Sequence, residues 1–577
     1  MRFARAHLFN LTALLMIVLC LALASCGQPN PPPKIEKTPQ PRPDSQQILR
    51  ILDQGNDGLQ LNSLDPATAY YRAELQITQL VFPSLVTLDT HEQPVDWAAA
   101  SHEVSSDGLT YTFHLRPNLR WSDGTPIDAT TFAYSINRGL DPCLHSYSSF
   151  FLYLSAIKGS EQFYNEPCPL NASSASASLI GASLLTPDPL TLRILLDHPS
   201  GGFLAALTYP PAYAVAKHLV EKYRFSDEWI DHITENGGFG GNLYKLTRLD
   251  NAGHITLTRN EAFWGGAKPR IRTIEYTFDN TSQLAWSDYT GGHGDVTFPP
   301  TQEFDAARAG KGFHQTPTLL VYYFRPNWRV PPLDDERLRE AFSLALDRKA
   351  LVDTAFNGAS QPTIHIIPEG VNGYNKDLRD ADGRSGDAAL TADKEKAGAL
   401  WQSYVHDKCH GDPEQCSTIY FMPLGYVSAG VKLAIQMWEE AMPGVRVEAY
   451  HVDGVLEVDW QKKVPFSDLG WYADYPDPQQ LVEPLIHTGA RDNLTGVSLP
   501  AVDALLDAAA SNQDQAGRMA QYQQAEQLAV SQAAVIPISQ GLLSWVATPA
   551  LVGGWAYTSA ESVPLSAWQS AYLAKSA

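Results

Sequence analysis

The chain predicts a mixed α/β fold, on three observations. "LTYTFHLRPNLRW" (109–121) alternates apolar and polar residues between two turn signals, Asp107-Gly108 and Ser122-Asp123-Gly124, the period-two pattern of a strand. "DATTFAYSINRGL" (128–140) places Phe132, Ile136 and Leu140 on one face at helical spacing. "DDERLREAFSLALDRKALV" (334–352) does the same with Leu338, Phe342, Ala345 and Leu346.

Each element has a local reason. Asp128 stands where a helix N-cap accepts a backbone N–H. Acidic residues lead the first turn of 334–352, where they meet the positive end of the helix dipole. "HITLTRNEAFW" (254–264) and "IRTIEYTF" (271–278) read as further strands. "NASSASAS" (171–178) and "ADGRSGD" (381–387) are low-complexity surface loops, and no regular repeat occurs.

Residues 1–25 have a short basic start (Arg2, Arg5) and an apolar run from Leu8 to Ala24, ending in Leu23-Ala24-Ser25-Cys26. That order reads as a secretory signal, and the cysteine after small residues resembles a bacterial lipobox, implying cleavage before Cys26 and lipidation there. An uncleaved anchor is the rival reading, against which the run is short for a span. Both put the protein outside the cytoplasm and on a membrane. Residues 26–47 then form a lipidated cysteine and a proline-rich tether, too polar to bury a core.

The rest of the chain, at roughly 150 residues per domain, amounts to three or four domain-sized units. The formal charge is −21, and −23 once Arg2 and Arg5 leave with the signal. So acidic a surface argues against nucleic acid, whose phosphates are met by Lys and Arg. Outside the signal and Cys26, four cysteines remain in two local pairs, Cys143/Cys168 and Cys409/Cys416. An oxidising compartment predicts two disulfides. Cys409-His410…Cys416 keeps a metal reading as rival, although it lacks the paired Cys-x-x-Cys spacing.

Enzyme motifs fail on inspection. "GYVSAG" (425–430) has two residues, not one, between Gly425 and Ser428, so it is not a nucleophile elbow. "GGFGGN" (237–242) is not G-x-G-x-x-G. "DLRDADGRSGD" (377–387) resembles a calcium loop, but Leu378 and Ala389 occupy the first and twelfth ligand positions. The sequence therefore predicts a binding protein with no catalytic residues, no cofactor and no metal.

"GWYADYPDP" (470–478) is a stiff stretch. Pro476 and Pro478 each remove a donor and push the preceding residue toward extended conformations. Asp474 is held among Trp471, Tyr472 and Tyr475. Together with "LNSLDPATA", "YTFHLRPNLRWSDGTPIDATTFAYS", "ITLTRNEAFWG" and "LDDERLREAFSLALDRKALV", in this order, it resembles the family 5 extracellular solute-binding proteins, receptors of ABC importers. The likeness runs from about Ile48 to past Pro537. "ADYPDP" and the paired Tyr322-Tyr323 are most similar to the oligopeptide-binding members.

The resemblance implies a two-lobed, periplasmic-binding-protein-like α/β fold. Lobe 1 would take 48–319 plus 541–577, with an extra subdomain at about 76–199, and lobe 2 would take 320–540. It implies a monomer that binds extended peptide between the lobes and delivers it to a permease and ATPase complex. Asp474 would pair with the peptide α-ammonium, and backbone groups of Gly470, Trp471, Tyr472 and Ala473 would pair with its main chain. Trp471 and Tyr147, the latter in "HSYSSF", would line side-chain pockets; core packing is the competing role for each.

The sequence also departs from the family pattern. Asp468 and Gly430 stand where basic residues can receive a peptide carboxylate, and Ser539 and Gln540 replace tyrosines. Capture of a free C-terminus is thereby put in doubt. Two alternatives stay open: the same fold holding a nickel chelate, haem, oligosaccharide or opine, with His487 the only histidine near the motif, or a peptide-sensing lipoprotein without a permease.

Overall fold

The computed structural model describes residues 39–54, 61–144, 146, 156–168, 177–223, 228–250, 253–423, 428–449 and 463–575. Arg42–Ala574 forms one compact unit. The second unit comprises residues 1–41 and 575–577, and within it Lys575 N–H donates to the Gln40 carbonyl at 2.8 Å. Cys26 and Tyr147 lie outside the described residues.

An eleven-stranded mixed sheet organises the large unit. Its centre is two long strands, Phe313–Pro326 and Ile536–Ala547, paired antiparallel. Beyond Ile536–Ala547 come Val296–Thr297, Ile48–Asp53, Thr273–Phe278, His254–Arg259 and Tyr244–Leu249. Beyond Phe313–Pro326 come Phe466–Tyr472, Ile419–Met422 and Val447–Ala449, and the eleventh strand, Ser360–Pro362, pairs with Ile536–Ala547 off this path. A separate four-stranded sheet holds Ala99–Val104, Thr110–Leu115, Thr191–Leu195 and Leu184–Asp188.

The two long strands change register between Pro317 and Val321. Pro317 has no N–H to give the ladder, so pairing lapses where the chain passes from one half of the sheet to the other. The apolar core is divided at the same place. One cluster runs from Leu49 to Val296 and takes in Tyr475 and residues of Trp545–Leu573; two others lie within 319–538, and a small fourth joins Trp286, Ala307 and Val546.

Two expected elements are corrected by the structure. The strand read across 109–121 is Thr110–Leu115; Pro117 ends it, and Asn118 adopts a left-handed φ of 69° in the turn that follows. The single helix read over 334–352 is two, Glu336–Leu344 and Arg348–Phe356. Asp347 caps the second by accepting from Ala350 N–H at 3.0 Å, and Arg348 turns inward to reach the Pro537 carbonyl at 2.8 Å. A mid-pattern aspartate followed by a buried arginine is a helix start, which periodicity alone does not separate from a continuing face. The helix Ala129–Gly139 has Asp128 as its N-cap, accepting from Thr131 N–H at 3.0 Å.

In the calcium-like loop, Asp380 is engaged by Arg384, whose Nε lies 2.9 Å and Nη2 2.8 Å from Oδ2. Sulfurs of Cys143 and Cys168 are bonded at 2.05 Å, and those of Cys409 and Cys416 at 2.01 Å.

Candidate binding site

The strand Phe466–Tyr472 leads directly into the stiff loop. On one edge it pairs with Phe313–Pro326 over its whole length, Leu320 opposite Tyr472 through Pro326 opposite Phe466. On the other edge only Phe466 and Ser467 pair, with Phe421 and Met422. From Leu469 to Tyr472 that second edge carries no strand among the described residues. Among the described residues nothing pairs with the backbone donors and acceptors of that edge, the arrangement that strand addition uses. Gly470 is needed in this strand because a β-carbon on it would sit 2.8 Å from the Tyr322 ring.

The loop beyond is held from behind. Asp477 caps the helix Pro478–Ile486, accepting from Gln479 N–H at 2.9 Å, with Pro478 at the first helical position. Arg518 grips the same carboxylate with both terminal nitrogens, at 2.8 and 2.5 Å, and both residues are buried. Gln480 reaches back from the third helical position. Its amide oxygen accepts from Asp474 N–H and, at 3.4 Å, from Tyr475 N–H, while its Nε2 donates to Asp474 Oδ2 at 2.8 Å. Gln480 reaches past the N-cap N–H that a capping-box glutamine would take, since Asp477 N–H donates to the Tyr475 carbonyl at 2.8 Å. Asp474 is thus fixed at both its backbone and its side chain.

Asp474 is half-buried and faces a cavity of about 50 Å³ whose walls include Tyr472, Tyr209, Gln79, Leu75 and Ser562. The Tyr209 hydroxyl donates to Asp474 Oδ1 over a long 3.4 Å. Residues from the chain's first half therefore close over the loop. The cavity is small, partly polar and bounded on one side by a carboxylate, which suits an ammonium group.

The other sequence-singled residues divide. Trp471 is half-buried, packs against the core of Leu481 and Val482, and donates its Nε1–H to the Gln480 carbonyl at 2.8 Å. Ala473 is fully buried, and its N–H is already given to the Leu319 carbonyl at 3.3 Å. Gly470, Asp468 and Gly430 line a second, largely apolar depression with Tyr322, Phe356 and Leu351. No lysine or arginine is among its described lining residues. Ser539 and Gln540 are buried, and Gln540 spends its amide on the Thr318 and Glu369 carbonyls at 2.8 Å each. His487 is engaged by Asp507 at 3.2 Å and the Thr488 carbonyl. Among the described residues no group of three or more His, Cys, Asp or Glu could hold a metal ion, and no helix is long and apolar enough to cross a membrane.

Gln480, Arg518 and Tyr209 were not singled out from the sequence. Asp477-x-x-Gln480 has the capping-box spacing and would have flagged Gln480. Nothing local marks Arg518 or Tyr209, which arrive from distant segments.

Over 540 residues the chain is 26% identical to the periplasmic oligopeptide-binding protein OppA of Escherichia coli K12, covering 90% of this chain and 92% of that one. It is 25% identical over 516 residues to the oligopeptide-binding protein OppA of Bacillus subtilis 168, covering 85% and 88%. Among solved structures, the unliganded open form of MppA, a periplasmic murein tripeptide-binding protein, superposes with a TM-score of 0.76 at 22% identity, over 94% of this chain and 99% of that one. Haemophilus influenzae OppA in complex with the peptide RPPGFSPFR superposes with a TM-score of 0.64 at 20% identity, over 92% and 99%. The α/β architecture is accordingly periplasmic-binding-protein-like. Residues 93–493 match the model of the middle part of the bacterial extracellular solute-binding proteins, family 5, and the chain belongs to that family.

Proposed function

We propose that this protein is the extracytoplasmic receptor of a peptide ABC importer, binding extended peptides with Asp474 on the α-ammonium. The observation that carries the reading is the open edge Leu469–Tyr472 running into a rigidly held Asp474. An extended peptide adds to that edge through main-chain bonds, which give affinity without reading side chains. The carboxylate, in a partly enclosed cavity of reduced dielectric, fixes where the peptide begins. The two curated relatives described above are both named for oligopeptide binding.

The division of the core at the Pro317–Val321 register shift favours lobes of 48–319 plus 541–577 and 320–540, hinged at the two long strands, with the subdomain at about 76–199. The Tyr472 ring stands at the cavity mouth, and Gly470 offers backbone to the ligand. Tyr147 would approach from the other lobe. Trp471 would line a side-chain pocket beside the strand. The protein would be a monomer, lipidated at Cys26 and held off the membrane by the 26–47 tether, with a permease and ATPase as partners.

Calorimetry with a mixed pool of short peptides tests the reading. Asp474→Ala is expected to weaken binding by about 2–5 kcal/mol, the cost of truncating one partner of an enclosed charge pair. N-acetylated peptides should bind the parent protein equally poorly. Unchanged affinity in both arms would remove Asp474 from the role.

A further inference from the structure

A separate cavity of about 310 Å³ lies beside the long strands, lined by Gln361, Thr363, His365, Tyr374, Lys376 and Asp387 among others. None of its lining residues is shared with the Asp474 cavity. Its volume falls in the range of small-molecule sites, about 300–1,000 Å³.

The wall chemistry is specific. His365 is 8% exposed, and its Nδ1 is turned from solvent, 3.8 Å from Glu526 Oε1. It stacks obliquely on Tyr374, ring centres 4.4 Å apart. Burial lowers the imidazole to about 4, so it is neutral and offers one donor and one acceptor. The Gln361 amide donates to Gln540 Oε1 at 3.1 Å and Glu369 Oε2 at 3.2 Å, leaving its own oxygen toward the lining. Gln540 is locked by four hydrogen bonds, so this wall is rigid. Ile364, Leu378 and Leu390 supply apolar surface. Glu369, Asp387 and Lys376 are the charged groups among the described lining residues, and Asp387 is paired with Lys349 at 3.0 Å.

Amide and hydroxyl groups, charged groups of both signs, one aromatic ring and an aliphatic wall match an uncharged molecule that has many hydroxyls and an apolar C–H face. We propose that this cavity is a second binding site, for a neutral polyhydroxylated molecule of monosaccharide size. It is independent of the peptide site, and Gln361 and Tyr374 are the wall residues that meet that ligand.

The experiment uses the full folded chain, with calorimetry and thermal shifts against glucose, galactose, ribose and N-acetylglucosamine at millimolar concentration. At least one should bind saturably, with the same affinity in Asp474→Ala and with peptide present or absent. Gln361→Ala and Tyr374→Ala should each weaken it about tenfold, the worth of one lost contact to a polar ligand. Peptide affinity of these two variants serves as the check that they fold. No binding by any of the four sugars, or unchanged binding in both variants, overturns the proposal. Sugar binding that peptide displaces or Asp474→Ala weakens also overturns it, because the sugar would then occupy the peptide site.

Discussion

Gln480 holds Asp474 from two sides: its amide oxygen takes the Asp474 N–H, and its amide nitrogen lies 2.8 Å from Asp474 Oδ2. Gln480 is buried beneath the loop and faces no cavity described above. It is a positioning residue. Gln480→Leu should keep the fold yet let the carboxylate rotate, weakening peptide binding by about 1 kcal/mol, roughly the net worth of one hydrogen bond. Calorimetry on the variant checks this, with the N-acetyl penalty of the parent reduced in parallel. A loss of thermal stability with unchanged peptide affinity would make Gln480 a purely structural residue.

C-terminally amidated peptides should bind about as well as free acids. The depression at the far end of the open edge is lined by Asp468, Tyr322, Phe356 and Gly430, with no lysine or arginine among its described lining residues. A free carboxylate there would meet Asp468 and gain nothing. Paired titrations of a tripeptide to a pentapeptide, acid against amide, decide it. A tenfold or larger preference for the acid would place a basic residue at the C-terminus.

Stability should fall as pH rises from 6.5 to 8. Burial pushes Glu526 up to about 8 and Glu483 up to about 7. Between the ordinary carboxylate range and those values, the folded protein keeps protons that the unfolded chain has released. The contribution of the neutral forms is complete below that range and is lost as pH climbs through the folded values. His365, lowered to about 4, acts in the opposite sense up to 6.5, so the clear window lies above it. Glu526→Gln keeps an acceptor for the Ile366 and Ile367 N–H groups. It should flatten the slope, by about 2 kcal/mol across the window. Urea unfolding at the two pH values measures it; an unchanged slope would mean Glu526 is ionised in the fold.

Reduction should destabilise the protein. The two disulfides close loops with sequence separations of 25 and 7 residues, worth about 3.5 and 2.4 kcal/mol in the chain-entropy model. Non-reducing peptide mapping should find Cys143 with Cys168 and Cys409 with Cys416, and urea midpoints should drop on reduction. The larger loop contains Tyr147, so its reduction should also weaken peptide binding.

The sequence by itself determined the local part of this protein. Alternation and capping marked the strand at Thr110–Leu115 and the helix at Ala129–Gly139, because period and N-cap chemistry are properties of neighbouring residues. Pro476 and Pro478 marked a rigid loop for the same reason. The motif order pointed to the family. What only the tertiary structure decided is which distant groups meet. The register shift between the long strands, the open edge at Leu469–Tyr472, Arg518 on Asp477 and Tyr209 on Asp474 each join segments tens to hundreds of residues apart. Such contacts are selected by packing and burial of the whole chain. No period or local propensity encodes them, so they become legible only when the sheet that brings the segments together is in view.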